Sequence, residues 1–171
     1  LTANTTSPNN VAIGYAALDA QTTGSGYNVA VGYNSMTANT SGTENTASGW
    51  NTLAANTTGS YNVAVGGASL AANTTADNNT GVGFKALNEN TTGARNTGLG
   101  FKALIANTTA SSCTAVGGLA LQANTTGSVN TACGMRLYTQ IQQVVIIQRV
   151  VKLLCMPILL RVIIQPLVFL R

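Results

Sequence analysis

NTTGSYNVAVGGASLAA, residues 56–72, decides the fold, because it returns at a fixed interval of seventeen residues. Copies follow at 73–89, 90–106 and 107–123, and another opens at Asn124. Upstream, 39–55 fits, 21–38 fits with one extra residue assigned to Gly26, and 4–20 is the first full copy. A constant period in this range marks a stacked repeat architecture. The expected fold is therefore all-β: a β-solenoid or parallel β-roll of seventeen-residue coils, in which each coil touches mainly its neighbours.

Numbering one copy 1 to 17 from its Asn, two columns hold large apolar side chains throughout. Position 10 carries Ile13, Val31, Val65, Val82, Leu99 and Val116, with Ser48 and Cys133 as the smaller members. Position 15 carries Leu18, Met36, Leu53, Leu70, Leu87, Leu104 and Leu121. Both columns are expected to be core ladders. Alternation around position 10, as in Asn62-Val63-Ala64-Val65-Gly66, predicts a short strand of period two. Positions 12 to 17 read equally as a second strand or a helical turn.

Position 11 is Gly14, Gly32, Gly49, Gly66, Gly83, Gly100, Gly117 and Gly134. A glycine demanded once per coil implies a positive φ or a backbone approach with no room for Cβ. The Asn-Thr-Thr-Gly run at positions 1 to 4 is turn chemistry, since Asn tolerates left-handed geometry and Thr bonds nearby backbone. Asn at position 7, replaced only by Cys113, is expected to stack into an amide ladder.

Here a resemblance becomes specific. Residues 10–14 (NVAIG), 28–32 (NVAVG) and 62–66 (NVAVG) resemble the head repeats of trimeric autotransporter adhesins, and the NTTGSxNTAVGxxAL pattern is similar to repeats of phage tail fibres and bacterial surface fibres. The likeness covers 1–134. It implies a β-roll of which three chains form one fibre, placed outside the cell or on a virion. The coil here is longer than the adhesin coil, and no neck, stalk, anchor or tail-fibre chaperone domain is visible.

Charge is sparse, 7% of residues against roughly 25% in ordinary globular domains. The pI near 9.2 comes from after residue 134, where Arg136, Arg149, Lys152, Arg161 and Arg171 lie. The repeats hold only Lys85, Arg95 and Lys102 against Asp19, Glu44, Asp77 and Glu89, which is no footprint for nucleic acid. Without histidine, and with carboxylates on separate coils, no catalytic residues, metal ligands or cofactor site are expected. Cys113, Cys133 and Cys155 form no CxxC pair. The chain opens at Leu1 without a basic-then-apolar leader, which suggests a fragment.

After Gly134 the repeat grammar gives way to a hydrophobic, basic stretch, 135–171. Its residues 141–148 (IQQVVIIQ) can be encoded by ATACAACAGGTAGTTATAATACAG. Read from one base earlier, an A closing the codon of Gln140, this gives NTTGSYNT. The recovered Asn falls at residue 141, seventeen after Asn124, and 158–160 yields NTT after a further seventeen. A frameshifted continuation of the repeats is the expectation. As a membrane anchor it fails, because Arg149, Lys152, Arg161, Pro157 and Pro166 interrupt any apolar run of ~20 residues.

Three surface features could carry function. Asn4, Asn39, Asn56, Asn73, Asn90, Asn107 and Asn124 each begin an Asn-x-Ser/Thr sequon at one place in the coil, with Asn78 out of line. They read either as a ladder of N-glycans or as turn composition. Tyr15, Tyr33, Trp50, Phe84 and Phe101 at position 12 form a stripe broken by Gly67 and Gly118. It would pack against another chain or stack on sugar rings, and packing is the preferred reading. Thr-rich coils suggest ice binding, but adjacent threonines such as Thr57-Thr58 diverge if extended. The expected function is a self-associating attachment fibre presenting a surface to a glycan or receptor. Its rivals are an ice-binding solenoid and a polysaccharide-active β-helix enzyme.

Overall fold

The computed structural model describes residues 8–24 and 26–135. Readings that rest on Asn4, Cys155 and the stretch 136–171, the frameshift among them, lie outside the described residues. Among the described residues eight three-residue strands follow one another: β1 (Val11–Ile13), β2 (Val29–Val31), β3 (Thr46–Ser48), β4 (Val63–Val65), β5 (Thr80–Val82), β6 (Thr97–Leu99), β7 (Thr114–Val116) and β8 (Thr131–Cys133). They form one parallel sheet in sequence order. Each strand pairs with the next in register, so Val65 lies against Val82 and Val82 against Leu99. The fold is the expected β-solenoid, one coil per repeat.

The first step spans eighteen residues, Val11 to Val29, and the others seventeen. Gly26 is not the extra residue. Its carbonyl accepts from Glu44 N–H, as the Thr43 carbonyl accepts from Tyr61, and Tyr27 has the φ of 59° that position 6 adopts in every coil. The insertion therefore falls between Thr23 and Gly26.

Positions 12 to 17 are neither strand nor helix; they form turns stitched from coil to coil. Lys102 N–H donates to Phe84 O of the coil before at 2.9 Å, and Leu87 N–H to Ala103 O of the coil after at 2.9 Å. Position 13 and position 15 both sit in the left-handed region, as Lys85 (φ 55°) and Leu87 (φ 53°) show. That conformation costs roughly 1–2 kcal/mol per L-residue and is worst for β-branched side chains. Hence position 15 is Leu or Met and never Val or Ile, whereas the strands take Val, Ile and Thr. The position-11 glycine is required twice over. At Gly83 φ is +131°, and a Cβ would lie 2.5 Å from the Gly100 carbonyl oxygen.

The position-15 column is the core, with Leu18, Met36, Leu53, Leu70, Leu87 and Leu104 at 0% exposure and Leu121 at 1%. Position 10 is not in the core. Ile13 is 61% exposed, and Val65, Val82 and Val116 are 36–38%, while Val31 and Leu99 are half-buried. A strand of three residues has one inward side chain, and here it is the small residue at position 9, such as Ala30, Ala47 or Ala64. Opposite the leucines the interior is polar. At position 7, Asn79 N–H donates to Asn62 Oδ1 (2.9 Å), and Asn79 Nδ2 donates to Gly93 O on the next coil (2.9 Å). The same pair of bonds recurs at Asn45, Asn62 and Asn96. Half of each cross-section is thus leucine and alanine and half is satisfied amide, which explains a folded chain with so little charge.

Candidate functional site

Because position 9 points inward, positions 8 and 10 point outward together. The sheet therefore presents two parallel columns on one face: Val11, Val29, Thr46, Val63, Thr80, Thr97, Thr114 and Thr131 beside Ile13, Val31, Ser48, Val65, Val82, Leu99, Val116 and Cys133. None of these sixteen side chains is charged. The signal that exposes this face in the sequence is position 9, which is always Ala or Gly, flanked by a position 8 that is Thr in five of eight copies. A threonine column does not fit a leucine core, and position 10 must share its side.

The aromatic column at position 12 is where the sequence places it, and it is exposed. Tyr15 and Tyr33 stack with centroids 5.3 Å apart and planes 13° from parallel. Phe84 and Phe101 stack at 5.9 Å and 14°. Trp50 reaches past Gly67 to Phe84, at 6.4 Å and 50°. A Cβ on Gly67 would run into the Trp50 indole, so the tryptophan itself fills that gap. The gap at Gly118 is open, since a Cβ there would meet nothing nearer than 3.9 Å. Lys85 Nζ lies 5.6 Å from the Phe84 centroid and Lys102 Nζ 5.1 Å from that of Phe101.

The ladder of N-glycans is overturned by burial. Asn39, Asn56, Asn73, Asn90 and Asn107 are 0% exposed and Asn124 2%. The nitrogen that would carry the sugar is already used twice: Asn56 Nδ2 donates to Asn39 Oδ1 (2.8 Å) and to Gly59 O (2.9 Å). The pattern repeats at Asn73, Asn90 and Asn107. These asparagines are a second amide ladder, and the folded coil has no place for a glycan on them. Asn78 is the exposed sequon asparagine, at φ 61°.

The adjacent threonines do diverge. Position 2 spends its hydroxyl between coils, as Thr57 Oγ1 donates to Thr74 O at 3.0 Å, while position 3 (Thr58, Thr75, Thr92) is exposed. Asp77 and Glu44 are exposed and two coils apart, and Asp77 Oδ1 accepts the Ser60 N–H at 2.7 Å. Among the described residues no three His, Cys, Asp or Glu side chains are grouped to hold a metal ion. No helix among them is long and apolar enough to cross a membrane. Cys113 is a buried free thiol and Cys133 an exposed one. Burial pushes the Cys113 thiol up, against weaker lowering by the backbone N–H groups of Asn130 and Val129 and by Asn124. No protein-family model, curated protein or solved structure matches the chain.

Proposed function

We propose that this chain is a segment of an extracellular or virion attachment fibre, built from three copies packed through the outward sheet face. The observation that carries the reading is that face: sixteen uncharged outward side chains in two straight columns, with Val11, Ile13, Val63, Val65, Val82 and Val116 each more than a third exposed. Contiguous exposed apolar surface on this scale is characteristic of interaction sites. The resemblance of 10–14, 28–32 and 62–66 to adhesin-head repeats points to three copies, and a rod of like coils gives reach rather than a reaction centre. Light scattering should return three times the 17.4 kDa of one chain. Val65→Lys with Val82→Lys should reduce it to one chain with the solenoid intact; a single-chain mass for the unaltered protein sinks the proposal.

A second reading is favoured by one specific observation. Thr80, Thr97, Thr114 and Thr131 stand in one outward column beside Val82, Leu99, Val116 and Cys133. Regular hydroxyl and apolar columns about 4.8 Å apart could order water as ice does. Thermal hysteresis in solution, abolished by Thr97→Lys, is the result that would favour this over the fibre.

A further inference from the structure

The ring column poses a question that its exposure alone does not answer. An aromatic ring binds a sugar or another ring through its face, and stacked rings spend their faces on each other. Tyr15 with Tyr33, and Phe84 with Phe101, are already paired in this way, and the Trp50 ring leans on Phe84 at 50°. A free face with a second wall opposite it is therefore found where a glycine interrupts the column. Of its two glycines, Gly67 is covered by Trp50 and Gly118 is open. The Gly118 gap lies between Phe101, 50% exposed, and Met135, 78% exposed. Two coil steps separate them, about 9.6 Å, so a flat ring inserted midway would sit about 4.8 Å from each, within stacking range.

Charge tells which ring. The described solenoid has three basic side chains, and two of them, Lys85 and Lys102, stand at one position on consecutive coils, over the rings of Phe84 and Phe101. An ammonium over an aromatic face is half desolvated and sits where a substituent of a stacked ring would project. We propose that the Gly118 gap binds a pyranose ring carrying an anionic group, the ring stacking on Phe101 and the anion meeting Lys102 and Lys85. This rests on the attachment reading, and it names the chemistry to which the fibre would attach.

The test uses the full chain and calorimetric titration with paired probes. Oligogalacturonate and its methyl ester differ in a carboxylate; dextran sulfate and dextran differ in a sulfate ester. The acidic member of at least one pair should bind and its neutral partner markedly less, and which pair responds identifies the anion. Gly118→Phe should weaken binding about tenfold, the scale on which loss of a central ring contact is felt. It should leave thermal unfolding in place, since the two preceding coils carry Phe84 and Phe101 at this position. Phe101→Ala should do the same to binding, and it carries the test if Gly118→Phe disturbs the coil. Lys85→Gln with Lys102→Gln should erase the preference for acid over neutral. Equal binding of the charged and neutral probes, undiminished binding by Phe101→Ala, or an aromatic side chain of a second copy found in the gap would overturn the proposal. Mass measured on the same samples separates the two ideas. A trimer that binds no acidic sugar refutes this site alone, and a single chain that binds one refutes the fibre alone.

Discussion

The two apolar columns of the coil make an instructive pair. Position 15 and position 10 hold the same kind of side chain and stack with equal regularity, yet Leu87 is 0% exposed and Val82 is 37%. Periodicity alone does not separate them, because a column of like residues forms whether it faces in or out. What separates them is backbone. A three-residue strand turns one side chain inward, and with the core only one leucine wide that side chain must be Ala or Gly. The large inward group then comes from the turn, at a left-handed residue. The sharpest break of this comparison is a matched truncation. Leu87→Ala should cost about 3 kcal/mol, the usual cost of an unfilled leucine site, whereas Val82→Ala should cost less than about 1 kcal/mol in a single chain. Chemical denaturation of both, at concentrations where the chain is single, reads the difference directly; equal losses would mean that position 10 is core after all.

The polar half of the interior extends the comparison. Asn79 is as buried as Leu87, and its backbone N–H and side-chain amide together join three coils. Asn79→Ala strands the Asn96 N–H, which has Asn79 Oδ1 as its partner at 2.9 Å. The expected loss is about 2 kcal/mol, set by desolvation of an unpaired buried donor. Hydrogen exchange should show the Asn96 amide losing protection first. Should the variant unfold no earlier than the parent, the amide ladder is only a filler.

A subtler change isolates the left-handed turn from the burial. Leu87→Ile keeps the volume but places a branched Cβ at φ 53°. We expect a loss of about 1–2 kcal/mol, more than repacking alone brings. Val82→Ile, made in a strand, should be neutral within about 0.5 kcal/mol. If both isoleucines are tolerated alike, the absence of Val and Ile from position 15 has some other cause.

Much of this was legible beforehand. The seventeen-residue period, the strand at positions 8 to 10, the glycine at 11 and the amide ladder at 7 all followed from which residue recurs where. Four readings failed for physical reasons, the first being positions 12 to 17, whose left-handed residues at 13 and 15 make turns rather than a strand or a helix. Hydrophobicity alone puts position 10 inside, but the threonines of position 8 share its side of the strand and do not fit a leucine core. The sequons at Asn39, Asn56, Asn73, Asn90, Asn107 and Asn124 looked like surface turns because Asn-Thr-Thr-Gly is turn chemistry. Here the turn folds its asparagine inward, onto the asparagine of the coil before. The place of the insertion is hidden because the residues at 24–26 are all small, and the Gly26 carbonyl bond to Glu44 with the φ of Tyr27 is what puts it ahead of Gly26. The ring column at position 12 was visible as a stripe, but its one open gap depends on where the Trp50 indole lies, which no spacing encodes.

The smallest expected effect lies at the one break in the position-7 ladder. Cys113 N–H still donates to Asn96 Oδ1 at 2.9 Å, but beyond it a thiol stands where every other coil has an amide. Its Sγ meets Gly127 O at 3.2 Å, where an asparagine would donate a full N–H bond. Asn130, one coil on, turns its amide back to Asn124 Oδ1 (2.9 Å) and Gly127 O (3.0 Å). Cys113→Asn should therefore stabilise the rod, by about 1 kcal/mol, one net hydrogen bond. The pH dependence gives a second check. Burial raises the Cys113 thiol above its ordinary value of 9.0, so the folded state holds the proton longer than the unfolded state. That contribution is whole below pH 9 and is lost as pH rises through the folded-state value. The advantage of Cys113→Asn over the parent should thus widen in alkaline solution and stay constant below pH 8. An advantage that narrowed with rising pH would mean that the thiol ionises more readily in the fold than out of it, and that the interior of coil 107–123 is wetter than its amide neighbours.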